Sequence, residues 1–221
     1  MTPSPENRSL PPGRRFARVP ADRLEDAVRV LVRGDRAAAA RFMSFARTSK
    51  LSLRHLWGIL NAQDQIEATV LVAPAPGRTA MLFTSRAVTP RMITTIGELV
   101  NAAIDGLDEA PVDLAQALVD PADRDEEKIF NAGGFKRMAE LDYLERPVPR
   151  FESVPAPDFP PGTAIEAWNP SDRKMLEDLL ERTYEHTLDC PGLSELRRTS
   201  DILDGHLASG TPVPEWWLIL K

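Results

Sequence analysis

Pro111-Val-Asp-Leu-Ala-Gln-Ala-Leu-Val-Asp-Pro-Ala-Asp-Arg-Asp-Glu-Glu-Lys-Ile-Phe-Asn-Ala-Gly-Gly-Phe-Lys-Arg-Met-Ala-Glu-Leu-Asp-Tyr-Leu-Glu-Arg-Pro147 is punctuated as strand, helix, strand. Val112, Leu114, Ala117, Leu118 and Val119 form an apolar run of strand length, and Asp120-Pro121 ends it with an N-cap followed by proline. A short helix is predicted from there. Asp123, Asp125, Glu126 and Glu127 put negative charge at the positive end of its dipole, and Gly133-Gly134 supplies the backbone that ends helices. From Phe135 to Leu144, Ala139, Leu141 and Tyr143 alternate with Glu140 and Asp142, the period of a half-buried strand.

Upstream of this stretch, Thr89-Pro90 caps a predicted long helix, Arg91 to Leu107, with Ile93, Ile96, Leu99, Val100, Ala103 and Ile104 at helical spacing. Three β-type runs precede it: Leu56 to Asn61, Gln65 to Val72 and Thr79 to Thr84. Ala62-Gln-Asp64 and Pro74-Ala-Pro-Gly77 between them are short enough for antiparallel hairpins. Before the meander come a strand at Arg15 to Val19, a helix with Leu24, Ala27, Val28, Leu31 and Val32 on one face, a break at Gly34-Asp35, and a second helix from Arg36 to Arg47. Met1 to Gly13, rich in proline and polar residues, is expected to be a loose tail.

Downstream, Pro147 to Pro161 is proline-dense and without periodicity, as an extended linker would be. The opening order then repeats. Thr163 to Trp168 is a strand, Asn169-Pro-Ser-Asp172 caps a helix carrying Met175, Leu176, Leu179, Leu180 and Tyr184, Ser200 to Ala208 is helical, and Trp216-Trp-Leu-Ile-Leu220 begins a strand in which Trp217 answers Trp57. Thus residues 14–146 read as one domain and 162–221 as the N-terminal part of a second, incomplete copy. The fold class is mixed α+β: a mostly antiparallel central sheet flanked by helices, plus the start of a repeat.

At 221 residues with a net charge of −6 and no lysine/arginine block, the chain does not have the concentrated basic face that non-specific nucleic-acid binding needs. No apolar stretch approaches the roughly 20 residues that span a bilayer, and no signal-peptide core is present, so a cytoplasmic location is expected. The single cysteine, Cys190, has no internal disulfide partner. His55, His206 and the carboxylates show no metal-ligand spacing, and no metal is expected.

The order β, α, α, β, β, β, α, β, α, β over Arg14 to Arg146, with Ile129-Phe-Asn-Ala-Gly-Gly-Phe135 before an alternating strand, resembles the GNAT superfamily of N-acetyltransferases, in its tandem-domain form. The resemblance implies acetyl-CoA as cofactor, a small-molecule or protein amine as acceptor, and a pyrophosphate loop of the type Gln/Arg-x-x-Gly-x-Gly/Ala before the long helix. Here that place holds Thr84-Ser-Arg-Ala-Val-Thr-Pro-Arg-Met92, which contains no glycine, and Pro90 removes one backbone donor. Arg86 and Arg91 are the candidate phosphate contacts; arginines at a helix start are also common solvated residues. Where the family often carries a tyrosine that protonates the coenzyme thiolate, Phe130 stands, a residue equally suited to the core.

In tandem members one domain is commonly catalytic and the other structural. The resemblance then assigns catalysis to the second domain, beyond Lys221, and no catalytic residue to this chain, which alone is not expected to be competent. In that domain Tyr184, Glu185, His186 and Asp189 fall in the region that lines the acceptor pocket in this family. His186 also suits a helix end and Asp189 a turn cap. The alternative is a non-catalytic GNAT-fold binding or interaction module.

Overall fold

The computed structural model describes residues 10, 13–107, 111–147, 158–187, 193 and 196–221. The chain divides into two compact units, Met1–Arg137 and Met138–Lys221. Most of the expected N-terminal tail, residues 148–157 of the linker, and Asp189 and Cys190 lie outside the described residues. Leu10, within the expected tail, packs against the first unit's core.

In the first unit, strand β1 (Arg15–Arg18) leads through a 3-10 turn at Ala21–Arg23 into helix α1 (Leu24–Leu31), and Asp35 opens helix α2 (Arg36–Thr48). The Asp35 carboxylate accepts from the N–H groups of Ala37 and Ala38 at 2.7 and 3.1 Å, which satisfies donors a helix start leaves unpaired. Strands β2 (Leu56–Leu60), β3 (Ile66–Ala75) and β4 (Thr79–Thr84) form the meander. Helix α3 (Pro90–Asp105), strand β5 (Leu114–Gln116) and helix α4 (Arg124–Ala132) follow. The sheet runs β1-β2-β3-β4-β5, antiparallel throughout except for the parallel β4–β5 pair.

Alternation along the strands sorts two apolar layers. Leu56 and Leu71 join Val19 and the α1–α2 residues Val28, Leu31 and Ala39 on one face. Phe16, Trp57, Ile59, Val70, Val72 and Leu82 join Ile96, Leu99, Val100 and Ala103 of α3, and Ile129 and Phe130 of α4, on the other. Phe130 is thus a core side chain, 4% exposed, its ring 5.3 Å from that of Phe135. Arg18 reaches across from β1: its guanidinium lies 5.7 Å from the Trp57 ring centroid and donates to the Gly106 carbonyl, at the end of α3, at 2.8 Å.

One expected element is absent. Residues 135–147 carry no regular strand, and Leu141, Tyr143 and Leu144 are 60%, 84% and 93% exposed. A period of two favours a strand only where a sheet edge accepts it. β5, the edge strand beside β4, is three residues long and offers little to pair with.

The second unit contains strand β6 (Ile165–Ala167), helices α5 (Arg173–Tyr184) and α6 (Thr199–Ala208), a 3-10 turn at Pro214–Trp216 and strand β7 (Leu218–Leu220). β6 and β7 pair antiparallel as a two-stranded sheet. Trp168, Leu176, Leu203 and Ile219 form its buried cluster. Arg173 joins its two helices, contacting Glu177 at 2.7 Å and Asp204 at 2.8 Å and donating to the Ser200 carbonyl at 3.0 Å.

The strand, helix, helix, strand order of the first unit thus recurs in hydrogen-bond register. Val19 N–H donates to Leu56 O at 2.8 Å, and Trp168 N–H to Trp217 O at 2.7 Å. Counting from these bonds, Arg18↔Trp57 and Phe16↔Ile59 correspond to Ala167↔Leu218 and Ile165↔Leu220. The tryptophan match expected from sequence shifts by one residue: Trp217 stands at the position of Leu56, and Leu218 at that of Trp57. A one-residue shift reverses the sheet face, so Trp217 joins the α5–α6 layer.

Candidate functional site

The loop from β4 to α3 leaves the sheet where β4 and β5 part. β5 pairs with Thr79, Ala80 and Met81, while β4 continues through Leu82, Phe83 and Thr84. Ser85, 2% exposed, anchors the loop: its Oγ accepts from Thr69 N–H at 2.9 Å and its own N–H donates to Thr69 O at 2.9 Å. Beside the end of β4 the Thr84 hydroxyl lies 3.4 Å from a Glu126 carboxylate oxygen on α4.

The N-terminus of α3 is capped from within the loop. Thr89, in extended conformation, accepts from Met92 N–H through its hydroxyl at 3.4 Å and its carbonyl at 2.9 Å. Pro90 occupies the first helical position and has no N–H to offer. Two donors that an anion at a helix start would use are therefore one occupied and one missing.

Arg86 and Arg91 are both exposed. They differ in their surroundings. Arg86 lies 3.8 Å from a carboxylate oxygen of Asp123, which Arg33, from the turn after α1, also meets at 3.1 Å. The Asp123 side chain is 13% exposed and also caps α4 by accepting from Glu126 N–H at 3.1 Å. Arg91 lies in the first turn of α3.

Glu126 is half-buried. Burial, with the Asp123 carboxylate adding to it, pushes its pKa above the usual glutamate range, while the Thr84 hydroxyl and Arg33 pull it the other way. The negative residues of α4 were legible in the sequence as helix-start charges. Their joining to Thr84, Arg33 and Arg86 was not, since Arg33 lies 90 residues from Asp123 and adopts a left-handed conformation, φ +71°, that no local pattern announces.

In the second unit, Tyr184 ends α5, Glu185 follows as its C-cap, and His186 has φ +56°; all three are exposed. A cleft of about 310 Å³ in this unit lies elsewhere, among Trp168, Trp217, Leu207, Pro212 and Pro214. Its two indoles stack at 5.5 Å, tilted by 33°. None of Tyr184, Glu185 and His186 lines it. Among the described residues no group of three histidine, cysteine or carboxylate side chains is placed to hold a metal, and no helix is long and apolar enough to cross a membrane. No protein-family model matches the chain, and none of the curated proteins matches its sequence.

Proposed function

We propose that this chain is a GNAT-type fold that works as an interaction module instead of an acetyltransferase. The reading is carried by the closed start of α3. In an acetyl-CoA-binding GNAT domain the pyrophosphate rests on free backbone donors at this helix, and here Thr89 occupies one and Pro90 lacks another. Two further features support it. Phe130 is packed into the core where the family often has its proton-donating tyrosine, and the half-buried Glu126 meets Thr84 at the end of β4.

The second reading is a tandem N-acetyltransferase in which Arg86 and Arg91 hold the coenzyme phosphates and an amine acceptor meets the Tyr184–His186 region. It is favoured by the parting of β4 and β5 and by the place of the two arginines at the loop beside it. A thermal-shift titration with acetyl-CoA separates the two. The interaction-module reading expects no shift at millimolar coenzyme. Stabilisation growing toward about 2.7 kcal/mol at a hundredfold excess over the dissociation constant, and lost in Arg86→Ala/Arg91→Ala, would establish the second.

A further inference from the structure

The chain is acidic as a whole, yet residues 36–63 hold five cations, Arg36, Arg41, Arg47, Lys50 and Arg54, and no aspartate or glutamate. All five are exposed, on α2 or on the connection from it to β2. The cations that precede them are matched: Arg14, Arg15, Arg23, Arg29 and Arg33 each meet a carboxylate. Among the described residues Arg36, Arg47 and Lys50 meet none. Arg41 acts on the Asp35 carboxylate, which the N–H groups of Ala37 and Ala38 already occupy. Like charge gathered on one surface without counter-charge attracts an oppositely charged partner.

We propose that the outer face of α2 is a docking site for an acidic peptide segment of a partner protein, with an apolar side chain of that segment set against Phe45. This deepens the interaction-module reading and rests on it. Helical spacing puts Arg41 and Phe45 on one side of the outer face and Arg36 and Arg47 on the other, with Ala37, Ala40 and Ser44, all exposed, between them. The small residues let a peptide backbone lie close to the helix, with arginines on either side for its carboxylates. Phe45 is 54% exposed, and its ring lies 6.4 Å from that of Phe42, which meets Phe83 of β4 edge-on at 6.1 Å. It is the outer member of an aromatic row that is anchored in the sheet.

The same features choose a peptide over other polyanions. The 13 residues of α2 span about 20 Å, the reach of roughly six extended residues. A nucleic-acid duplex, charged along its whole length, would continue past the helix against a chain of net charge −6, and the five cations are too widely spaced to match its phosphates. An anionic bilayer would need an apolar face to receive, and that of α2 is spent on the core: Ala39 and Ala46 are buried, and Phe42 and Met43 pack inward. A short acidic segment needs neither. Its attraction is exposed to solvent, so the contact is reversible and weakens with salt.

The probe is a short fluorescein-labelled peptide with phenylalanine at its centre and aspartate or glutamate at every other position, titrated with the full chain and followed by anisotropy. Saturable binding is expected, weakened at least about tenfold in Arg41→Glu/Arg47→Glu and by less in Phe45→Ala. These positions are exposed, so the variants keep their fold, which circular dichroism checks. Lys128→Glu/Lys174→Glu makes the same change in net charge away from α2 and should leave binding as it was. Absence of binding at millimolar peptide overturns the proposal, as does an equal loss in the two double variants, which would reduce the effect to net charge. Tighter binding of an oligothymidylate or of phosphatidylserine vesicles, lost in Arg41→Glu/Arg47→Glu, would give the face to a nucleic acid or a bilayer and overturn it equally. The acetyl-CoA titration reads Arg86 and Arg91 instead of α2, so the two readings fail separately.

Discussion

Two antiparallel strand pairs in this chain share a register and differ in what lies over them. β1–β2 is covered on both faces, by α1 and α2 on one side and α3 on the other. β6–β7 is covered on one, by α5 and α6. A buried face and a bare face can therefore carry the same kind of residue at the same position: Ile59 and Leu220 are both aliphatic, and one is wholly buried while the other is 55% exposed. In the smaller unit the strand pair and one helical layer pack around Trp168, Leu176, Leu203 and Ile219.

The sharpest way to break this comparison is to truncate one residue from each pair. Trp57→Ala, under α3, is expected to cost about 3–5 kcal/mol in urea unfolding, and Leu218→Ala, its counterpart, to stay within about 0.5 kcal/mol. Equal effects would mean that the second face is covered after all. A smaller loss tests the fit of α3 to its neighbour. A Cβ built on Gly97 would lie 2.7 Å from Ala132 Cβ and 2.9 Å from the Gly133 nitrogen, so Gly97→Ala is expected to cost about 1–3 kcal/mol as α3 and α4 are forced apart. A neutral result would show that the two helices slide freely.

The smallest effect concerns Glu126. Burial raises its pKa in the folded state, so the native protein holds that proton to higher pH than the unfolded chain does. Stability contributed by this group is present in acid and falls as pH rises from the ordinary glutamate value through the raised one. Glu126→Gln removes the fall. Melting curves of the variant and the original chain should draw apart over that window, with the variant gaining toward neutral pH, and parallel curves would show that the carboxyl is well solvated.

Much of the architecture was legible because local rules and tertiary packing agree. The Thr89-Pro90 start of α3 and its apolar spacing, the meander with its two short connections, and the helix–helix break at Gly34-Asp35 all appear where the residues place them, within the usual end-residue differences. The alternation from Phe135 to Leu144 misled for a physical reason: a strand pattern states which faces a segment would present, and pairing requires a neighbour's edge. The one-residue shift between Trp57 and Trp217 has the same root, since register is written in backbone hydrogen bonds that residue identity does not display. At the candidate site, Arg86 and Arg91 could be located on the loop and helix start from sequence, while the Arg33–Asp123–Arg86 cluster joins segments too far apart for any spacing rule.

The bond from Arg18 to Gly106 joins residues 88 positions apart. The last turn of α3 can be secured only after the N-terminal strand has found its place, and bringing such distant segments together is the slow part of forming a topology rich in non-local pairings. Until that closure, Trp57 has no lid. For that interval the apolar face that holds Phe16, Trp57 and Ile59 is open, which makes early chaperone capture, or mispairing between newly made chains, the natural hazard of its folding.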